Sequence, residues 1–387
     1  MPKILRITTS PLSLRSLLSN QMKFMKANGF EVIMVSSDGK EWPSILQNEG
    51  CEHRIVPMAR EISPLKDLRA LWALYKLIKK EKPDIVHSHT PKAGLLSMLA
   101  AKMAGVKIRV HTIAGLRFMT ATGMFRKLLV WMEKLTGAAA THVWPNSFSL
   151  LAYVKKNKLV SEKKLSVIGH GSSNGVDLHR FSPASLKADK LNEIRTLIGY
   201  EENNIYLLNM GRIVKDKGIN ELMQVFKKAH AARPSLRLVV LGHFEDKLDP
   251  VSEEARETLN NHPAIIHIDW NENVEYFMET CDLMVHASYR EGFPNTLLQA
   301  GAMGIPIVCS RIEGNIDVVE DEKTGLLFRA RDAGDLSEKL EKALNDPAQM
   351  KIYADTLQKT VREYFGQEYV HTCLRDKYLE LLKNAKN

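Results

Sequence analysis

The sequence predicts an α/β protein made of two doubly wound parallel sheets, and three features carry that expectation. Short apolar runs of strand length alternate with segments of helical period along nearly the whole chain. One segment, residues 169–183, breaks the alternation with Gly169, Gly171, Ser172, Ser173, Asn174, Gly175 and Pro183, and the pattern then restarts. At 387 residues the chain is long enough for two domains that each bury a core.

Residues 3–9 are the first expected strand, 15–28 a helix closed by Gly29, and 30–36 a second strand. The loop between, Thr9 to Ser13, lacks the glycines of a Gly-x-Gly-x-x-Gly site. No Gly-x-x-x-x-Gly-Lys-Ser/Thr occurs either, so NAD-type and P-loop binding lose support. Residues 64–80 place Leu65, Leu68, Leu71, Trp72, Tyr75 and Ile78 at helical spacing behind Ser63, the stripe of a helix that covers a sheet. Lys66, Arg69, Lys76, Lys79 and Lys80 hold its polar face. Strands follow over 84–89 and 107–112, each ending in or beside histidine. Ligands collect at the carboxyl ends of open parallel sheets, so His87, His89 and His111 fall on that rim. Strand-end histidines are also ordinary hydrogen-bonded structure, the reading taken for His87 and His89. A helix over 123–140, a strand over 142–145, a helix over 147–157 and a strand over 165–168 complete the first domain.

In the second half a helix over 187–198 and a strand over 205–210 lead into Gly211-Arg212-Ile213-Val214-Lys215-Asp216-Lys217-Gly218. Gly211 lets backbone approach a ligand, and the fork of Arg212 with the ammonium of Lys217 can neutralise a diphosphate without a metal. Taken singly, such loop cations are usually solvated. Strands over 236–241, 264–268, 282–287 and 305–309 and helices over 336–345, 348–363 and 368–383 continue the alternation. The strand over 282–287 hands over to Glu291-Gly292-Phe293-Pro294-Asn295 and a short helix of small residues. Pro294 suits a first helical turn, and the free N–H groups beside it suit an anion. Gln299 lies little more than one turn in, and Glu291 by itself could simply complement the helix dipole.

Composition narrows the class. With 44% apolar and 26% charged residues the chain reads as globular, and no apolar run approaches the length of a membrane span or resembles a secretory leader. Four scattered cysteines form no metal spacing and fit a reducing cytoplasm. The net charge of +9 is uneven: residues 1–190 carry 30 Lys and Arg against 13 Asp and Glu, while the remainder carries 24 against 32. A basic half suits an anionic partner.

The Gly211-Arg212 and Lys217-Gly218 pair, with Glu291-Gly292-Phe293-Pro294, resembles the signature of the family 4 retaining glycosyltransferases, bacterial surface-polysaccharide type. Asn174 to Asp177 resembles the family hinge, and the segments around His89 and His111 resemble family strands. The resemblance implies a GT-B fold, two Rossmann-like doubly wound domains facing a central cleft. The first would span 1–180, with a C-terminal helix 366–387 packing back on it, and take the acceptor; the second, 190–365, would bind the nucleotide-sugar. The family's roles imply that Arg212 and Lys217 clamp the donor diphosphate and that Glu291 and His111 orient the sugar. Gly211, Gly292, Phe293, Pro294 and Asn295 would help to bind substrate. Gln299 stands where the family has a second Glu and would accept from the ribose as a neutral amide.

The expected activity is retaining transfer from a nucleotide-diphospho-sugar, UDP-linked, to a hydroxyl of a glycan or polyprenyl-pyrophosphate-linked acceptor in surface-polysaccharide synthesis. No metal and no cofactor is expected beyond the donor, and no nucleic-acid partner. The place of work would be the cytoplasm, with peripheral contact to anionic membrane. Two alternatives remain open at this level: a UDP-sugar 2-epimerase of the same fold and a non-catalytic two-domain sugar-binding protein.

Overall fold

The computed structural model describes residues 1–59, 61–246 and 249–385. Its contacts divide the chain into two units, Met1–Gly175 with Gln367–Asn387, and Val176–Gly366.

The first unit is built on β1 (Lys3–Ile7), β2 (Glu31–Ser36), β3 (Glu52–Ile55), β4 (Ile85–Ser88), β5 (Ile108–Ile113) and β6 (His142–Pro145). All pairs are parallel, in the order β3-β2-β1-β4-β5-β6. Apolar clusters cover both faces, which is why an inner strand such as β2 reads as a nearly unbroken apolar run. One cluster joins Ile4, Phe30 and Trp144 to Leu374, Tyr378 and Leu381 of the last helix, Gln367–Asn384.

The second unit repeats the plan with β7 (Ile205–Met210), β8 (Leu236–Leu241), β9 (Ile265–Ile268), β10 (Leu283–His286), β11 (Ile307–Ser310) and β12 (Leu326–Phe328), in the order β12-β11-β10-β7-β8-β9. In each sheet the strand order reverses once, between β1 and β4 and between β7 and β10. There the loops leaving neighbouring strands diverge and open a crevice for ligands. The expected α/β class with two doubly wound sheets is present.

Several local expectations are corrected. The helix expected over 15–28 is two helices, Pro11–Leu17 and Gln21–Ala27, separated at Asn20 with φ 67°. The carboxylate of Glu49 fixes that break by accepting the N–H groups of Asn20 at 2.6 Å and Lys23 at 2.9 Å, so it caps the second helix. The strand expected over 165–168 reduces to a single bridge between Val143 and Leu165. Pro294 is the residue before the helix Asn295–Met303, not inside it. The apolar stripe over 64–80 was expected to face the core, yet the helix Pro64–Glu81 buries only Ala70, Leu74 and Ile78 and leaves Leu65, Leu68 and Trp72 exposed.

Candidate functional site

At the switch point of the second sheet, β7 runs into Gly211 to Gly218 and β10 into Ala287 to Gly292. Four contacts lock the two loops. Tyr289 N–H donates to Asp216 O at 2.8 Å, Arg290 Nε meets Asp216 Oδ2 at 2.9 Å, Tyr289 Oη donates to Glu221, and Gly218 packs on Ala287. A Cβ at Gly218 would stand 2.1 Å from Ala287 O, and its φ of +69° already favours glycine.

The clamp sets Lys217 against Glu291. The Lys217 ammonium donates to Glu291 Oε1, Ser288 Oγ donates to the same oxygen at 2.7 Å, and His286 Nε2 lies 3.2 Å from it. Burial alone would raise the Glu291 pKa, but the Lys217 charge and the His286 contact outweigh it and hold the carboxyl well below its usual range. The group is an anchored carboxylate with its second oxygen left to other partners.

Around this pair, the helices Ile219–Ala232 and Asn295–Met303 begin without a side-chain cap at either N-terminus. Their first N–H groups and positive dipole ends suit a negatively charged ligand. Gln299 is half-buried five residues into its helix, on the same element as Asn295. Gly292 and Pro294 are buried. The ring of Phe293 belongs to the core, 5.3 Å from Phe365, so only its backbone is available to a ligand.

Arg212 is not part of this cluster. Its side chain is 44% exposed, and the guanidinium is paired with Glu245. His111 belongs to the first unit. There it is buried, within 2.9 Å of Ser88 Oγ and pressed by helix Pro91–Met103 at Gly94, where a Cβ would meet His111 Cε1 at 2.4 Å. Burial lowers its pKa to about 4, so it is a neutral ring at ordinary pH.

Two family models cover most of the chain. One, described as glycosyl transferases group 1, matches residues 192–362, and one described as a glycosyl transferase 4-like domain matches residues 18–171. The capsular polysaccharide biosynthesis glycosyltransferase CapM of Staphylococcus aureus is 32% identical over 388 residues, spanning 99% of this chain and 98% of the relative. The chain belongs to the family 4 glycosyltransferases. An Escherichia coli relative, the UDP-Gal:alpha-D-GlcNAc-diphosphoundecaprenol alpha-1,3-galactosyltransferase, is 26% identical, covering 99% of this glycosyltransferase and 98% of the relative. Among solved structures, Anabaena HepE in complex with UDP and glucose superposes with a TM-score of 0.81 at 16% identity, covering 98% and 100% of the two chains. That likeness is one of fold, and the fold is GT-B.

Sequence reasoning did not single out the residues that hold the glycosyltransferase's carboxylate in place. His286 and Ser288 stood only within the expected strand and the loop after it, and Asp216, which joins the two loops, only within the Gly211 to Gly218 segment. One signal was available for His286: a polar residue closing an otherwise apolar strand at the ligand-binding rim, five positions before Glu291.

Proposed function

We propose that this glycosyltransferase moves a sugar, with retention, from a UDP-linked donor to a hydroxyl of a polyprenyl-pyrophosphate-linked glycan in the synthesis of a surface polysaccharide. The observation that carries the reading is the meeting of Lys217 and Glu291 at the switch point of the second sheet. Support for the substrates comes from the activities for which CapM and the E. coli galactosyltransferase are named and from the UDP bound to HepE.

In this reading residues 190–365 bind the donor, and 1–180 with 366–387 take the acceptor. Lys217 and Arg212 stabilise the charge that builds on the leaving diphosphate, and Arg212 exchanges Glu245 for phosphate when the donor arrives. Those two cations, with the helix N-termini, supply the electrostatic stabilisation without calling on a metal. Glu291, anchored through one oxygen, offers the other to hydroxyls of the donor sugar, and neutral His111 orients the same sugar. Gln299 accepts from the ribose; backbone from Gly211 and from Gly292 to Asn295 lines the phosphate and sugar. No protein nucleophile is assigned, because the donor phosphate takes the acceptor's proton on the face it leaves.

The acceptor-side unit also fits work at an anionic membrane surface. Leu65, Leu68 and Trp72 on helix Pro64–Glu81 and Met124, Phe125, Leu128 and Trp131 on helix Gly123–Ala139 are exposed. Both helices pack on helix Pro91–Met103, and exposed Lys66, Arg69, Lys76, Arg126 and Lys127 lie among the apolar groups.

The deciding experiment incubates the protein with UDP-, GDP- and CMP-sugars and a polyprenyl-diphosphate-linked glycan and reads product anomeric configuration by NMR. An axial product from an axial donor is expected, and inversion would reject the mechanism. Lys217→Ala is expected to lower transfer by ~100-fold; undiminished transfer would reject the site. Flotation with anionic liposomes at low salt should carry the wild type but not a Leu68→Ser, Trp131→Ser double variant, and equal flotation would reject the membrane face.

A further inference from the structure

The first unit holds a buried polar cluster that the transfer chemistry does not use. Arg6, on β1, is 2% exposed. Its guanidinium donates to Tyr378 Oη at 2.9 Å, to Gln21 Oε1 and to His87 Nδ1, and Nη2 lies 3.4 Å from His89 Nδ1. Each partner is neutral: burial, reinforced by the Arg6 charge, holds both imidazoles well below their usual pKa, and burial pushes the Tyr378 phenol up to about 12. Among the described residues no carboxylate bonds to Arg6.

Arginine can only donate, so Nδ1 of each imidazole accepts and each ring proton sits on Nε2. His87 passes its proton toward Thr112 Oγ1 at 2.7 Å. His89 Nε2, on a side chain 3% exposed, has no partner, and neither has the indole Nε1 of Trp144, 2% exposed. Both side chains line a cavity of about 20 Å³ at the carboxyl ends of β4, β5 and β6, together with Thr112, Asn146 and Ser172. Two orphaned donors at one cavity, and a buried cation without a counter-charge behind the His89 ring, share a single remedy. Water would satisfy the donors and leave the charge uncompensated; an anion satisfies both.

We propose that this cavity binds a small anion that accepts from His89 Nε2 and Trp144 Nε1 and balances Arg6. Its size admits a species of about one water diameter. The occupant is therefore a halide ion or a single oxygen of a larger oxyanion entering from the rim. The inference does not rest on the sugar-transfer reading.

Thermal unfolding of the intact chain in sodium gluconate, with chloride, bromide or inorganic phosphate substituted at constant ionic strength, tests it. A saturable rise in the midpoint of several degrees is expected. A rise with halides alone identifies a free ion; a rise with phosphate alone identifies an oxyanion. His89→Leu should abolish the rise, and Trp144→Phe, which keeps a ring and deletes the N–H, should shift saturation at least several-fold toward higher anion. Absence of a saturable rise with all three salts, or a rise unchanged in Trp144→Phe, would overturn the proposal.

Discussion

Replacing Lys217 with Met keeps the length of the side chain and deletes its charge, leaving the half-buried Glu291 with two partners instead of three. The pair is partly solvated, the side chains being 22% and 16% exposed. Breaking a fully buried pair costs about 3–5 kcal/mol and an exposed one less than ~1 kcal/mol. With His286 and Ser288 still on Oε1, the loss should fall between these limits, near ~2 kcal/mol. For a unit of this size that corresponds to a drop of roughly 4–8 °C in the melting midpoint. The effect depends on pH. In the wild type the folded pKa of Glu291 lies below its unfolded value, so its contribution is present above about pH 4.3 and is lost as the pH falls through the folded value. In Lys217→Met burial is opposed only by the contacts that remain on Oε1, so that pKa rises relative to the wild type. The variant's deficit should then be full at pH 7–8 and narrow as the pH drops below about 5. Urea unfolding followed by circular dichroism at pH 8, 6 and 4 measures it. A deficit constant over that range, or none at pH 8, would refute the account of how Glu291 is held.

Further expectations can be checked with the same preparations. Gly94→Ala drives a methyl group into the His111 ring and should cost about 1–3 kcal/mol in urea unfolding, with a fall in transfer. Gly218→Ala sets a Cβ against Ala287 O in a left-handed conformation, so a loss of at least ~2 kcal/mol is expected. Because that change also parts the loops bearing Lys217 and Glu291, single-turnover transfer should fall further than the unfolded fraction explains. Glu133, on helix Gly123–Ala139, has its carboxyl raised to about 7 by burial, above its unfolded value. Its neutral form therefore stabilises below about pH 4, and that contribution is lost as the pH rises through 7. Glu133→Gln should match the wild type near pH 4 and exceed it by roughly 1–2 kcal/mol at pH 8, read from chemical denaturation.

The strands were legible where burial on both faces made them continuous apolar runs, as in Leu236–Leu241 or Glu31–Ser36. Two of the four sheet edges were not legible, whereas the edge strands β6 and β9 fell within expected strands. β3 is Glu-His-Arg-Ile, a polar strand with no apolar alternation to announce it, and β12 has only three residues. The break at Asn20 depends on Glu49, 29 positions away, which local periodicity cannot register. At the candidate site, residue types and loop placement marked Lys217 and Glu291, and the strand order of the second sheet explains why residues 74 positions apart meet. Arg212 looked equivalent to Lys217 in sequence but takes Glu245 as its partner, a choice made by side-chain geometry. The outward turn of Leu68 and Trp72 escaped notice for a different reason: an amphipathic stripe reports that a helix has an apolar face, not what that face meets.

The last helix completes the core that the first strand begins, and Arg6 and Tyr378 are 372 residues apart. As the polypeptide leaves the ribosome, residues 176–366 are all available before Tyr378 is made, whereas Ile4, Phe30 and Trp144 must wait for the final helix to shield them. The half that is translated first is thus the half that matures last. Nascent chains stalled anywhere short of that helix would present an unsealed apolar flank and an undersatisfied guanidinium, which makes the closing twenty-odd residues the step at which chaperone dependence should end.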